Sequence, residues 1–246
     1  MPLEEYKILA DIYDILNPKE EIFGQRPFFE KLVKQYSIVT CLDPACGTGW
    51  HLSMFHDMGL TCCGSDISPE MLALAKRNLE GKRIPLQEED FRELGKSWGD
   101  VYDMVVCLTT SLPYMRTDED VIKALESMYD RLGEGGILVI SNGVTDSLLD
   151  TKPKFIPARV LKNEAFYFIA EYPNETEFTF NILYVKKTED SFEHKFTSTT
   201  YNAMRQSVLE RCFSKTKYKN IQYYGDFDFS AYSKETSSRL IVVAEK

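Results

Sequence analysis

Residues 38–49 read Ile38-Val39-Thr40-Cys41-Leu42-Asp43-Pro44-Ala45-Cys46-Gly47-Thr48-Gly49. The first five are apolar or β-branched and suit a buried strand; the rest form a glycine-bearing turn that opens a helix through Leu52 and Phe55. Glycine at 47 and 49 lets the backbone approach a ligand closely, because no Cβ stands in the way. Asp66 stands about 20 residues further on, at the end of the next strand-like run, residues 60–64. An acid there is placed to hydrogen-bond two ribose hydroxyls. Strand, glycine turn, helix, strand and acid make one nucleoside-binding unit.

The alternation continues on both sides of that unit. Tyr6, Leu9, Ile12, Tyr13 and Leu16 recur at helical spacing over residues 3–16, and Phe28, Phe29, Leu32, Val33 and Tyr36 mark a second helix. Ser68-Pro69-Glu70 is an N-cap with proline at the first helical position, and Leu72, Ala75 and Leu79 give that helix a buried face. Residues 84–87, 102–108 and 137–141 read as strands, with an amphipathic helix over 118–132. This pattern predicts a Rossmann-like, doubly wound α/β sheet, mainly parallel. After Asn142 three strand-like runs, 166–172, 178–186 and 192–198, follow one another with short polar turns, then a helix over 201–213. They predict an antiparallel meander. The last two runs, 221–229 and 239–244, are nine residues apart, too close for a parallel crossover, so they are expected to be antiparallel neighbours. The expected organisation is one ligand-binding domain, 1–143 with 201–246, and an inserted antiparallel β cap, 144–200.

Composition limits the partners. A net charge of −9 argues against DNA or RNA, whose binding needs cations to displace counterions. No apolar run approaches the roughly 20 residues that cross a bilayer, and the acidic opening Met1 to Glu5 is unlike a signal peptide, so a cytoplasmic location is expected. The six cysteines show no metal-type spacing and read as reduced thiols, with no metal centre expected. Cys62 and Cys63 are adjacent in a strand, so they point to opposite faces. His51, His56 and His194 read as structural.

Two ligand classes fit the unit, NAD and an adenosyl cofactor. The third glycine of a dinucleotide fingerprint falls at Leu52, and a carboxylate at Asp43 repels a pyrophosphate but suits a ligand carrying a sulfonium and an ammonium. The stretch 42–49 resembles the first motif of class I S-adenosylmethionine-dependent methyltransferases, and the resemblance extends through Asp66, Asp90-Phe91, the run 102–107 and Leu132-Gly133-Glu134-Gly135-Gly136. It implies a seven-stranded sheet ending in an antiparallel hairpin, with S-adenosyl-L-methionine as cofactor. It also implies roles. Asp43 anchors the loop and the methionine amino group; backbone at Ala45, Gly47 and Gly49 lies along the cofactor; Asp66 takes the ribose hydroxyls. Ile67 packs on the adenine, Asp90 and the Phe91 amide read its edge, the Leu108 carbonyl faces the ammonium, and Arg26 reaches the methionine carboxylate.

Residues 107–114, with Ser111-Leu112-Pro113-Tyr114 at their end, are similar to a stretch of the glycine and sarcosine N-methyltransferases. Thr109 and Thr110 stand where that family has glycine and asparagine, Tyr114 replaces a histidine, and Gly143 replaces an arginine that holds the acceptor's carboxylate. The resemblance implies methyl transfer to a nitrogen or oxygen of a small molecule. A protein or RNA acceptor, and a non-catalytic cofactor-binding module, are the alternatives. Tyr6, Tyr13, Ser111 and Tyr114 are the candidates for lining the methyl group and orienting the acceptor, and Arg159 is a candidate cation in place of the one missing at Gly143.

Overall fold

The computed structural model describes residues 10, 12–96 and 98–246. Alternating strand residues dictate the layers. Cys41, Met104, Val106, Val139 and Ile241 fall into one core, while their neighbours Leu42, Val105, Cys107, Ile140 and Val242 fall into the other. The strands β1 (Thr40–Asp43), β2 (Thr61–Asp66), β3 (Leu86–Glu88), β4 (Tyr102–Cys107) and β5 (Leu132–Asn142) are parallel. A second sheet interrupts the chain before the last two strands of the first. That sheet consists of β6 (Phe155–Val160), β7 (Glu164–Asn174), β8 (Glu177–Lys187) and β9 (Phe192–Asn202), all antiparallel. Then β10 (Lys219–Tyr224) and β11 (Leu240–Glu245) complete the first sheet, in the order β10-β11-β5-β4-β1-β2-β3. β11 runs antiparallel to β10, as expected, and also to β5; β10 ends at Tyr224 rather than at 229, so the connection, residues 225–239, is longer than the sequence pattern indicates. Cys62 lies in one core and Cys63 in the other, and all six cysteines are free and buried. No described helix is long and apolar enough to cross a membrane.

Helices α1 (Lys19–Phe23), α2 (Arg26–Tyr36), α3 (Trp50–Asp57) and α4 (Pro69–Asn78) come before β3, the last three covering one face of the main sheet. Helices α5 (Asp118–Asp130) and α7 (Gln206–Phe213) cover the other, and α6 (Asp146–Thr151) precedes the second sheet. Ser68 caps α4 as expected, its hydroxyl accepting from the Met71 amide at 3.2 Å. Of the expected N-terminal helix, residues 10 and 12–16 are described and helical.

The second sheet differs from the expected meander in three ways. It has four strands, because Phe155–Val160 pairs with β7. Pro157 hides this strand in the sequence, and the position tolerates proline because β6 is an edge and its register shifts between Ile156 and Arg159. β9 runs on to Asn202, so the helix expected from residue 201 starts instead at Gln206; Tyr201 and Asn202 are held in the ladder by Phe178 and Glu177. Residues 146–151 form α6, a helix absent from the expected antiparallel cap. The sheet docks through Phe166, Ile182 and Tyr184 on Ile12 and Leu16 of the N-terminal helix, and through Phe178 and Ala170 on Val144 and Leu149.

Leu52 shows how the first turn accommodates a side chain where a dinucleotide fingerprint has glycine. It is fully buried, and the space it fills is provided by Gly64 on β2: a Cβ there would lie 2.5 Å from Leu52 Cδ1 and 3.1 Å from both the Asp43 carbonyl oxygen and Cys46 Cβ. The close helix–strand approach survives with the small residue moved to the strand. Gly64→Ala is therefore expected to destabilise the fold by about 1–3 kcal/mol through overpacking. Urea unfolding measures it; an unchanged midpoint would mean that Leu52 repacks without strain.

Candidate active site

The turn after β1 is held by two carboxylates. Asp43 Oδ1 accepts from the Ala45 amide at 3.2 Å, and Asp66 Oδ2 accepts from the Gly47 amide at 2.9 Å. Asp66 Oδ1 accepts from the Ser68 amide, also at 2.9 Å, so one side chain sets both the glycine turn and the start of α4. Gly47 and Gly49 have φ of +51° and +83°, a left-handed backbone that an L side chain rarely adopts. The half-buried Tyr13 ring lies across this turn, 3.7 Å from where a Gly47 Cβ would stand. Its hydroxyl bonds the Thr109 side chain, and burial together with Asp66 raises its pKa, so the phenol stays protonated.

These elements border a cavity of about 880 Å³ between the carboxyl ends of the parallel strands and the second sheet. That volume is near the top of the roughly 300–1,000 Å³ typical of small-molecule sites, enough for a donor and an acceptor together. Of the residues predicted from sequence, Tyr13, Ala45, Gly47, Asp66, Ile67, Asp90, Phe91, Ser111 and Tyr114 line it. Ile67 is 47% exposed at its wall, an apolar surface suited to a flat ring. Ser111 donates to the Leu108 carbonyl at 2.8 Å, and Tyr201 donates to the Tyr114 hydroxyl at 3.2 Å with the rings edge to face.

Other predicted residues stand elsewhere. Asp43, Gly49 and Leu108 lie behind the wall; Gly49 is the N-cap of α3. Asp43 is 1% exposed, and burial, with Asp66 adding to it, raises its pKa to about 7 against the Ala45 hydrogen bond. Of the two carboxylates that hold the turn, Asp66 is thus the one that faces the ligand space. Arg26 is not brought to the wall. It pairs with Glu30 one helical turn away, at 2.7 Å, because a short turn of α2 puts the two on one face. Arg159 is also turned away: it bonds the Leu16 carbonyl and Glu21, tying β6 to the N-terminal segment. Tyr6 lies outside the described residues.

Sequence reading missed three features of the wall. Arg92 grips Asp90 with its Nε and Nη2 and reaches Asp120 at 2.9 Å; Asp90 keeps a pKa below the usual carboxylate range, since Arg92 outweighs burial. Asp90 consequently shares its oxygens with a guanidinium as well as with any ligand. Thr109 and Thr110 have φ of 55° and 65°, a left-handed pair held by β5: Ser141 accepts both amides, through Oγ and its carbonyl, at 3.0 Å. Glycine and asparagine take that conformation at little cost, so their presence in the resembling stretch was the available signal. Thr197, Thr199 and Tyr201 of β9 supply a third row of polar groups, legible only as a period-2 pattern once β9 is extended to Asn202.

The cavity suits an adenosyl ligand on its own terms. It offers a buried carboxylate with two backbone amides already fixing its plane, a left-handed glycine turn without Cβ, and an exposed isoleucine. Comparisons with known proteins agree. A methyltransferase domain family matches residues 41–136. The glycine/sarcosine/dimethylglycine N-methyltransferase of Actinopolyspora halophila is 26% identical over 95% of this chain, which spans 40% of that protein's length. The glycine/sarcosine N-methyltransferase of Aphanothece halophytica is 26% identical over 95% of this chain and 86% of its own. A crystallised S-adenosylmethionine-dependent methyltransferase from Clostridium acetobutylicum superposes with a TM-score of 0.82 at 18% identity, over 98% of both chains, a likeness of fold.

The raised pKa of Asp43 has a consequence for stability. Its folded value near 7 exceeds the ordinary 3.8, so between about pH 4 and 7 the folded chain keeps a proton that the unfolded chain has lost. Stability from this residue therefore falls as pH rises through that window. Asp43→Asn, which cannot ionise, is expected to gain on the parent protein between pH 4.5 and 7.5 by on the order of 2–4 kcal/mol. Parallel denaturant titrations at the two pH values test this; identical pH slopes would show that Asp43 stays charged.

Proposed function

We propose that this chain, a class I S-adenosylmethionine-dependent methyltransferase in family and fold, moves a methyl group to a nitrogen of a small molecule. The observation that carries the reading is Asp66, whose carboxylate is oriented by the Gly47 and Ser68 amides at the wall of a cavity large enough for two ligands. Its unused lone pairs suit the paired hydroxyls of a ribose. Ile67 and Phe91 offer apolar surface to the adenine, and the Arg92–Asp90 pair stands beside it. When bound, S-adenosylmethionine supplies a methyl group already activated on sulfonium.

The chain's own work is alignment and exclusion of water, which in intramolecular models is worth up to roughly 7–11 kcal/mol of barrier. Tyr13, Ser111 and Tyr114 border the space where an acceptor meets the donor, and burial with the nearby Asp66 keeps the Tyr13 phenol protonated. An amine is itself a nucleophile once unprotonated, so no side-chain base is required. Residues 1–143 with 201–246 hold the donor in this reading, and the segment 144–200 caps the acceptor. In support, β8 and β9 provide a side of the cavity, which leaves less room for a macromolecular acceptor. Nitrogen as the atom methylated follows the two N-methyltransferase relatives. A cytoplasmic location is consistent with six unbridged cysteines.

S-adenosylmethionine and S-adenosylhomocysteine are expected to raise the melting temperature with micromolar affinity or better, and NAD is not. Asp66→Ala should cost about 2–3 kcal/mol of cofactor binding by calorimetry, a charged hydrogen-bond acceptor being lost. Stabilisation by NAD alone, or an unchanged dissociation constant in the variant, would overturn the assignment.

A further inference from the structure

Alternation along its strands gives the second sheet two faces. The inner face, with Phe166, Phe178, Ile182 and Tyr184, packs on the rest of the chain, and Phe178 and Ile182 also line the cavity. The outer face carries Tyr167, Leu183 and Phe196, paired in one row across β7, β8 and β9. Pairing sets Phe155 beside Ile169 and Val160 beside Ala165 on the same face, and Phe192 beside Lys187. Phe155 is 70% exposed, Tyr167 46%, Phe192 68% and Phe196 51%. No other aromatic side chain among the described residues is exposed to this degree. The solvent side of an antiparallel sheet is ordinarily polar; this one is aromatic.

Area and charge together say what covers this face. At about 200 Å² per side chain, the four aromatics alone offer on the order of 500 Å², already at the upper end for the largest apolar patch of a monomer. A standard interface takes about 800 Å² from each partner. Val160, 71% exposed, and the half-buried Leu183 and Val185 extend the patch toward that figure. The face also matches itself in charge. By the same alternation Glu171 and Lys187 belong to it, and both are exposed. Glu171, beside Thr179, stands four residues from the Tyr167–Leu183–Phe196 row on one side, and Lys187, beside Phe192, four residues from it on the other. A two-fold axis laid along the row reverses the strands of a second copy, so the Lys187 end of each sheet meets the Glu171 end of the other. Such a placement keeps the two sets of strands aligned, as sheets packed face to face require.

We infer that this chain forms a symmetric dimer through the outer face of its second sheet, the Tyr167–Leu183–Phe196 row of one copy packing on the same row of another. A second copy supplies in one partner an apolar face of equal size and the opposite charge at each end, and the contact, being isologous, closes on itself. Nothing in it depends on the methyltransferase reading. Its consequence for the site is mechanical: the sheet whose inner face borders the cavity is supported from behind by the other copy.

Sedimentation velocity of the full chain, titrated from about 1 to 100 µM, reads the dissociation constant. A dimer of micromolar or tighter affinity is expected. Phe196→Lys, at a ring that faces solvent in the single chain, is expected to weaken it about a hundredfold while the far-UV circular dichroism stays that of the parent. Lys187→Glu is expected to weaken it about tenfold through like charges brought together. Adding Glu171→Lys to that variant should restore the affinity, since the exchanged charges meet again across the two-fold axis. A monomer throughout the range overturns the inference. So does a dimer indifferent to Phe196→Lys, which is built on another face, or one that the double charge exchange weakens further, which packs in another orientation. Monomers that instead bind phosphatidylcholine vesicles, and lose that binding with Phe196→Lys, give the face to a membrane and overturn it as well.

Discussion

The donor half of the site depends on what the Asp66 carboxylate does with its two oxygens. One holds the Gly47 amide of the turn after β1, and the other holds the Ser68 amide at the start of α4. The backbone of Asp66 is engaged as well, its carbonyl accepting from the Glu89 amide beyond β3, while the Ser65 carbonyl accepts from Cys46. Three consecutive strand ends are thus locked to one residue. Burial raises the Asp66 pKa and the amide donors pull it back. The same groups that shape the turn keep a buried carboxylate usable as an acceptor. Loop geometry and ligand recognition are here one set of hydrogen bonds, which is why a change at this position acts on both.

Thr109 and Thr110 line the same cavity at the turn after β4. β-branched residues in the left-handed region are costly, on the order of 1–3 kcal/mol each, and persist only where surroundings over-determine them. Those surroundings are visible: Ser141 accepts both amides, the Gly143 amide donates to Thr110 Oγ1, and the Thr109 side chain meets the Tyr13 hydroxyl. The end of β5 and the N-terminal helix therefore fix the turn after β4 from two sides. The two threonines thus hold a left-handed backbone at the cavity wall and carry hydroxyls there.

How far the sequence could be read follows from where the information is local. Strand, turn and helix over residues 38–66 are specified by neighbours in sequence, so Gly47 and Asp66 are legible there and stand at the cavity wall, joined by Ile67 and Phe91, which the resemblance implied. The antiparallel pairing of β10 with β11 matches the expectation, although β10 ends at Tyr224 and the connection is longer than the sequence pattern indicates. β6 escaped notice because Pro157 reads as a breaker until its edge position is known, and the last residues of β9 were taken for helix because Tyr201 begins an apolar-periodic stretch. Arg26 was placed by the resemblance and Arg159 by its charge. Which acid a long flexible cation meets is a property of packing, and the two found Glu30 and Glu21.

The two halves of the cavity also differ in what builds them. Backbone amides, glycine conformations and one carboxylate make the donor side, and such features tolerate few substitutions. Side chains projecting from β8 and β9 make much of the opposite wall, where any residue of adequate volume leaves the ladder intact, since the strand pairing runs through main-chain atoms. Substituting Thr197 changes the lining without touching the Ile182 register or the Asp66 turn. Such a wall can change its side chains while the Asp66 turn stays fixed. The turn held by Asp66 and the lining carried by β8 and β9 are therefore set by separate parts of the chain.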